Sequence, residues 1–284
     1  MKEPEKTMNH NDPILITGCS SGIGEATALR LVRAGHTVYA TARKSSTLTA
    51  LAQAGAITRD LDVTDEESMR AVVDEIVTEH CRIGALVNNA GYGAYGAVED
   101  TPMHAVRKQF DTNVFGMARM IQLALPSMRL AGRGRIVNIS SMGGRLTFPF
   151  GGYYHASKHA VEAMSDALRF EVKPFGVSVS IVEPGLITTR FGGTAATTLS
   201  TSTPDGSPYR AATAALDKSM AKSYENRLMT AGPDAVAKAI EHAVSARRPR
   251  TRYVITPAAR SLITIRALTP GRAWDRVVHG VFGM

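Results

Sequence analysis

The chain is expected to fold as an α/β domain with helices wound over both sides of a parallel sheet. Three observations carry that expectation: short apolar runs alternate with helical stretches, a glycine-rich turn joins the first run to the first helix, and nothing repeats beyond this strand-helix unit. Short continuous apolar runs suit strands covered on both faces, and the helices between them supply the cover.

Residues 13–18, Pro-Ile-Leu-Ile-Thr-Gly, read as the first strand, and Cys19-Ser20-Ser21-Gly22-Ile23-Gly24 turns from it into an alanine-rich helix from Glu25 to Arg33. His36 to Thr41 reads as strand two, Ala56 to Leu61 as strand three and Ala85 to Asn88 as strand four. Helical tracts from about Pro102 to Leu130 and from about Gly152 to Phe170 flank strand five, Arg135 to Ser140, and Val177 to Val182 follows as strand six. Right-handed crossovers wind such units into one doubly wound Rossmann-type domain, here expected over residues 12–257 with a mainly parallel seven-stranded sheet. Residues 1–11 read as a polar extension, 192–230 as a substrate lid whose glycine- and threonine-rich beginning suggests a mobile loop, and 258–284 as a basic tail.

With 284 residues the chain can bury a sizeable single core. Cys19 and Cys81 are its only cysteines, which argues against a disulfide scaffold and for a reducing compartment. Met1 to Asn11 has no apolar h-region and no apolar run reaches membrane-spanning length, so a cytoplasmic protein is expected. The formal charge is +8, and residues 246–284 hold eight arginines against Asp275 alone. A nucleic-acid role would have to reside there, and none is expected. Leu262, Ile263, Trp274 and Val278 among those arginines permit peripheral membrane contact, but Pro270-Gly271 interrupts any long surface helix and favours packing on the body. The histidines are scattered and no paired C-x-x-C occurs, so no metal is expected.

Two constellations carry chemistry. Strand, glycine turn and helix in that order suit a pyrophosphate, because glycines let the backbone approach the phosphates and the helix start offers free N–H groups. Tyr154 and Lys158 stand four apart in a helical stretch, with Ser141 thirteen residues before the tyrosine. A free phenol titrates near pH 10, and a neighbouring ammonium favours its phenolate. Such a tyrosine can protonate a forming alkoxide or deprotonate an alcohol, with the Ser141 hydroxyl fixing the same oxygen. Strand two ends in Ala40-Thr41-Ala42-Arg43-Lys44, where a carboxylate would suit the ribose diol of NAD. Its cations, with Ser20 or Ser21, favour NADP over NAD.

Thr17-Gly18-x-x-x-Gly22-x-Gly24, Asn88-Asn89-Ala90-Gly91, Asn113, Ser141, Tyr154, Lys158 and Pro184-Gly185 together resemble the short-chain dehydrogenase/reductase family over roughly residues 12–190. The wording of Gly18 to Gly24 and of Glu183 to Thr189 is similar to its 17β-hydroxysteroid-dehydrogenase-like branch. The resemblance implies Tyr154 as catalytic acid/base, Lys158 as its modulator and a ribose ligand, Ser141 as substrate orienter and Asn113 as holder of a relay water. It further implies that Gly18, Ser20, Ser21, Gly22, Ile23 and Gly24 cradle the phosphates and that Arg43 faces the adenosine ribose. Asp62 and Val63 then meet the adenine, Asn89, Ala90 and Gly91 lie beneath the cofactor, and Pro184, Gly185, Ile187 and Thr189 bind the nicotinamide carboxamide. Asn88 is as readily a tie between strands, and His155 is expected on the substrate side or at the surface.

Tyr92, Tyr95, Phe148, Pro149, Phe150, Leu186 and Phe191 follow or precede these motifs, so the crevice should have apolar and aromatic borders that suit a lipophilic ketone, aldehyde or alcohol. Ala160, Ala163, Met164 and Ala167 give the Tyr154 helix a small-residue face, and the family implies a homo-oligomer, dimer or tetramer, through it. Two readings stay open: an NADP-dependent oxidoreductase, or a catalytically silent cofactor-binding regulator that uses its basic tail.

Overall fold

The computed structural model describes residues 11–227 and 229–282. Seven strands, β1 (Ile14–Ile16), β2 (Val38–Ala42), β3 (Ile57–Asp60), β4 (Ala85–Asn88), β5 (Gly134–Ile139), β6 (Val177–Glu183) and β9 (Arg252–Val254), form one sheet in the order β3-β2-β1-β4-β5-β6-β9. Every pairing in it is parallel. β1, β2, β4 and β5 are buried at every position, which is why their sequences run apolar rather than alternate. Within β1, Ile14 and Ile16 enter one core and Leu15 the other. The first core is closed by α1 (Gly22–Arg33), α2 (Thr49–Gln53) and α9 (Pro233–Ser245), through residues such as Leu31, Leu51 and Ile240. The second is closed by α3 (Glu66–His80), α5 (Met117–Leu130) and α6 (Gly152–Val172), through Ile76, Met120 and Val161.

The strand order reverses between β1 and β4, so the loops after these strands part there and open a crevice at their carboxyl ends. α1 begins directly at the glycine turn, and Ser21 precedes it with an extended backbone and no side-chain cap, which leaves the first-turn N–H groups facing that crevice. By contrast Asp65 caps α3, accepting from the N–H groups of Glu67 and Ser68. The expected long helix from 102 to 130 is α4 (Met103–Phe110) and α5 joined through a π-helical turn, Asp111–Gly116, that carries Asn113.

Two parts of the fold differ from expectation. β9 supplies the seventh strand with three residues that no run in the sequence announced. The expected loop-like lid is instead two helices, α7 (Arg190–Thr201) and α8 (Arg210–Glu225), beside a small parallel pair of β7 (Leu186–Ile187) and β8 (Thr230–Ala231). Ala195, Leu199 and Leu216 are the buried residues that hold these helices down. The expected tail is α10 (Pro257–Leu268) and α11 (Gly271–Phe282), parted at Pro270, with Trp274 buried under the Arg266 guanidinium. Among the described residues no helix is long and apolar enough to cross a membrane.

Candidate active site

A single cavity of about 690 Å³ runs along the crevice from Arg43 past the glycine turn to Tyr154. Of the residues singled out from the sequence, Gly18, Ser20, Ser21, Gly22, Ile23, Arg43, Asp62, Val63, Asn89, Ala90, Gly91, Ser141, Tyr154, Lys158, Pro184, Gly185, Ile187 and Thr189 all line it. Gly24 and Asn113 do not; each stands one layer behind. A Cβ on Gly24 would come within 2.3 Å of the Gly18 carbonyl oxygen, so only glycine lets α1 pack this close to β1. Gly22 has φ +65°, and across from it lies Thr189, whose hydroxyl accepts from the Phe191 N–H and so caps α7.

The turn is held from below. Thr17 Oγ1 accepts from the N–H groups of Asn89 and Ala90 at 3.1 and 3.0 Å, and Asn89 Nδ2 donates to the carbonyls of Thr17 and Gly18, both at 2.9 Å. Asn89 thus keeps only its carbonyl oxygen for a ribose hydroxyl. Asn88 is the strand tie, donating to Asn138 Oδ1 at 2.9 Å inside the core. Asp62 accepts from Thr64 through both its N–H and hydroxyl, while Asp65 serves the helix start.

At the reactive end, the Ser141 side chain faces the Tyr154 phenol and favours its charged form. Lys158 Nζ donates to the Ile139 carbonyl at 2.9 Å. Burial is the largest influence on both groups, and it opposes charge: Tyr154 is pushed well up, and Lys158 is depressed to about 8. What draws the phenol down is the Ser141 side chain. The Lys158 ammonium, expected to do this, is itself desolvated and donates to a backbone carbonyl. Asn113 clamps the loop after β4, donating to Tyr92 O at 2.8 Å and to Ser157 Oγ at 3.2 Å while its Oδ1 accepts from Tyr92 N.

Aromatic groups surround the phenol, with Tyr95 and Phe191 ring centroids 5.7 and 5.4 Å from that of Tyr154. Phe148 and Leu186 also line the cavity, but Phe150 does not: it has φ +61° and its ring meets Tyr209 instead. Pro149 is likewise outside the lining. His155 is buried, against the expectation of a surface position, and lies on the substrate side. Sequence reasoning missed Met220 and Tyr224, which reach the cavity from α8. No short motif marks them; the only signal was their place on the lid. Among the described residues no group of three His, Cys, Asp or Glu side chains could hold a metal.

The residues fit a dinucleotide: a glycine cradle too tight for any Cβ, an uncapped helix start and a cavity long enough to join both to a buried tyrosine. Fold and site together define an NAD(P)-dependent dehydrogenase or reductase acting on alcohol and carbonyl groups. The family model described as short chain dehydrogenase matches residues 12–199, and the chain belongs to the short-chain dehydrogenase/reductase family. It is 37% identical to the uncharacterized oxidoreductase YbbO of Escherichia coli over 269 residues, 94% of each chain. It is 32% identical to the NADPH-dependent 3-dehydrocapnine reductase of Ornithobacterium rhinotracheale, over 93% of this chain and 95% of that one. Its backbone is similar to the crystal structure of a short-chain dehydrogenase from Streptomyces avermitilis, with TM-score 0.77 and 34% identity over 95% of this chain and 98% of that one.

Proposed function

We propose that this protein is an NADP-dependent oxidoreductase that moves a hydride between nicotinamide and a lipophilic ketone, aldehyde or secondary alcohol, with Tyr154 as acid/base. The observation that carries the proposal is the convergence of Tyr154, Ser141 and Lys158 on the cavity that the glycine turn opens.

Bound in that crevice, the cofactor supplies the hydride that reaches or leaves the carbonyl carbon. The chain's own part is placement and a proton. Ser141 holds the substrate oxygen, and Tyr154 gives that oxygen its proton during reduction or takes it during oxidation. Lys158, fixed by the Ile139 carbonyl, keeps two N–H groups for a ribose hydroxyl and for the phenol side of the site. Asn113 fixes the loop carrying Tyr92 and so leaves a place for a relay water between itself and Lys158; both atoms crowd the position a Cβ would take on Gly91, at 3.0 and 3.6 Å.

NADP preference rests on Arg43, an exposed cation on the cavity after a strand that ends without a carboxylate. The nearest acid, Asp60 on β3, is turned to the Ser45 N–H. The relative from Ornithobacterium, NADPH-dependent by name, agrees. Tyr95, Phe148, Phe191 and Met220 support a lipophilic substrate, and hydroxysteroids, which the 17β-hydroxysteroid-dehydrogenase-like wording implies, fall within that class. The buried Trp274 supports packing of the tail on the body over contact with a lipid surface. Cys19 and Cys81 are both free, in keeping with the cytoplasm.

A panel of ketones, aldehydes and hydroxysteroids, run with NADPH and with NADH, tests the proposal. NADPH should be preferred, and Arg43→Glu should reverse the preference. Tyr154→Phe should lower kcat by about a hundredfold or more, and Lys158→Ala should lower it too. Turnover that survives both changes refutes the roles given to them, and cofactor binding without turnover of any carbonyl points to the silent regulator.

A further inference from the structure

His155 follows the proposed acid/base directly, yet it is 3% exposed and takes no part in the chemistry described so far. Its ring is walled by Tyr95, Phe148 and Tyr154, at centroid distances of 6.3, 6.0 and 5.6 Å. Two glycines shape the space for it: a Cβ on Gly143 would come within 2.4 Å of Nδ1, and one on Gly151 within 2.6 Å of Nε2.

Nδ1 faces the Gly143 carbonyl oxygen at 3.1 Å. A carbonyl only accepts, so Nδ1 carries the proton. Nε2 has no partner, and a second proton there would find no acceptor. Burial accordingly depresses the imidazole to about 4, and the ring is neutral with its tautomer fixed.

Gly143's own N–H, on the preceding peptide group, donates to Ser141 Oγ at 3.0 Å. That bond takes up one lone pair of the Ser141 oxygen and leaves its proton free to turn toward the Tyr154 phenol, whose charged form Ser141 favours. The links run in one direction: His155 Nδ1–H to the Gly143 carbonyl, Gly143 N–H to Ser141 Oγ, Ser141 O–H toward the Tyr154 oxygen.

We propose that His155 is a positioning residue that aims the Ser141 hydroxyl at the reacting oxygen by fixing Gly143, whose two flanking peptides the imidazole and Ser141 engage. The inference rests on the role given to Ser141 in the proposed function. Side chains that can donate at the Nδ1 position should serve in its place, and those that cannot should not.

The first test reads the ring itself, in the full chain and without turnover. Nitrogen-15 histidine spectra should show a protonated Nδ1 and a bare Nε2 from about pH 6 to 8. The opposite tautomer, or an imidazolium in that range, overturns the inference.

The second test is kinetic. His155→Leu should lower kcat by about tenfold or more while KM for NADPH stays within about twofold. His155→Asn, whose amide N–H falls where Nδ1 stood, should recover most of the loss, and His155→Gln should not. In a Ser141→Ala background, His155→Leu should cost little more, because the hydroxyl it aims is gone. An undiminished cost in that background, or equal rates for the Asn and Gln variants, overturns the inference while leaving the proposed function standing. If Ser141→Ala itself has no effect, the proposed function fails, whereas the nitrogen spectra still decide whether the His155–Gly143 link exists. Should His155→Leu not fold, the Asn and Gln pair and the spectra carry the test alone.

Discussion

Lys158 is 7% exposed and titrates at about 8 rather than near its usual 10.5, so its ammonium destabilises the folded chain at neutral pH. Between those two values the unfolded chain holds the extra proton, and stability therefore rises with pH through that window. Lys158→Met should stabilise the cofactor-free protein by roughly 1–3 kcal/mol at pH 7, read from thermal unfolding, while lowering turnover. Glu183 has the opposite sign. Burial and the nearby Glu162 raise it to about 7 despite Arg145 and Arg252, and Glu183 Oε2 lacks a hydrogen-bond partner. Its contribution is complete below the usual carboxylate value of 4.5 and is lost as pH rises toward 7. Glu183→Gln should flatten the dependence of the melting temperature on pH across that interval. Tyr154, Lys158 and Ser141 were legible because their chemistry is encoded in short spacings. The burial of the phenol and of the lysine was not, since burial opposes charge on each and short spacings do not reveal it.

The helices expected from Glu25 to Arg33 and from about Gly152 to Phe170 lie close to α1 and α6. α7 was unreadable because Gly192, Gly193 and four threonines depress helix propensity. Three of those threonines bond back to carbonyls four residues earlier, and Ala195 and Leu199 are buried, so packing decides what propensity does not. The helix is also tied to the substrate wall, where Thr198 Oγ1 accepts from the Tyr95 N–H at 3.0 Å. Leu199→Ala should therefore destabilise α7 by about 2–3 kcal/mol and raise KM for the carbonyl substrate much more than KM for NADPH. β9 escaped notice for a different reason. It has only three residues, one of them Arg252, whose guanidinium is taken up by Glu162, Asp166 and Glu183.

Across the molecule, the doubly wound parallel sheet followed from the alternation of apolar runs and helices, because strands buried on both faces leave a continuous signal. The charge count was a poorer guide: Arg252 and Arg266, counted as part of a basic tail, sit against carboxylates and an indole. Phe115 and Phe170 are 61% and 72% exposed, on the turn before α5 and on α6. Phe170 lies on the helix whose face the family implies as a subunit contact, and a lone chain gains nothing by showing both rings to water. Sedimentation should show a homodimer or larger assembly, and Phe115→Glu with Phe170→Glu should shift it toward monomer. Thr189 has a reach beyond its own contacts, since it both faces Gly22 and starts α7. In the proposed function, one residue thus borders the nucleotide seat and begins the helix beside the substrate. Kinetics should be ordered, with the nucleotide entering first and leaving last, and product-inhibition patterns competitive only between the two nucleotide forms would show it.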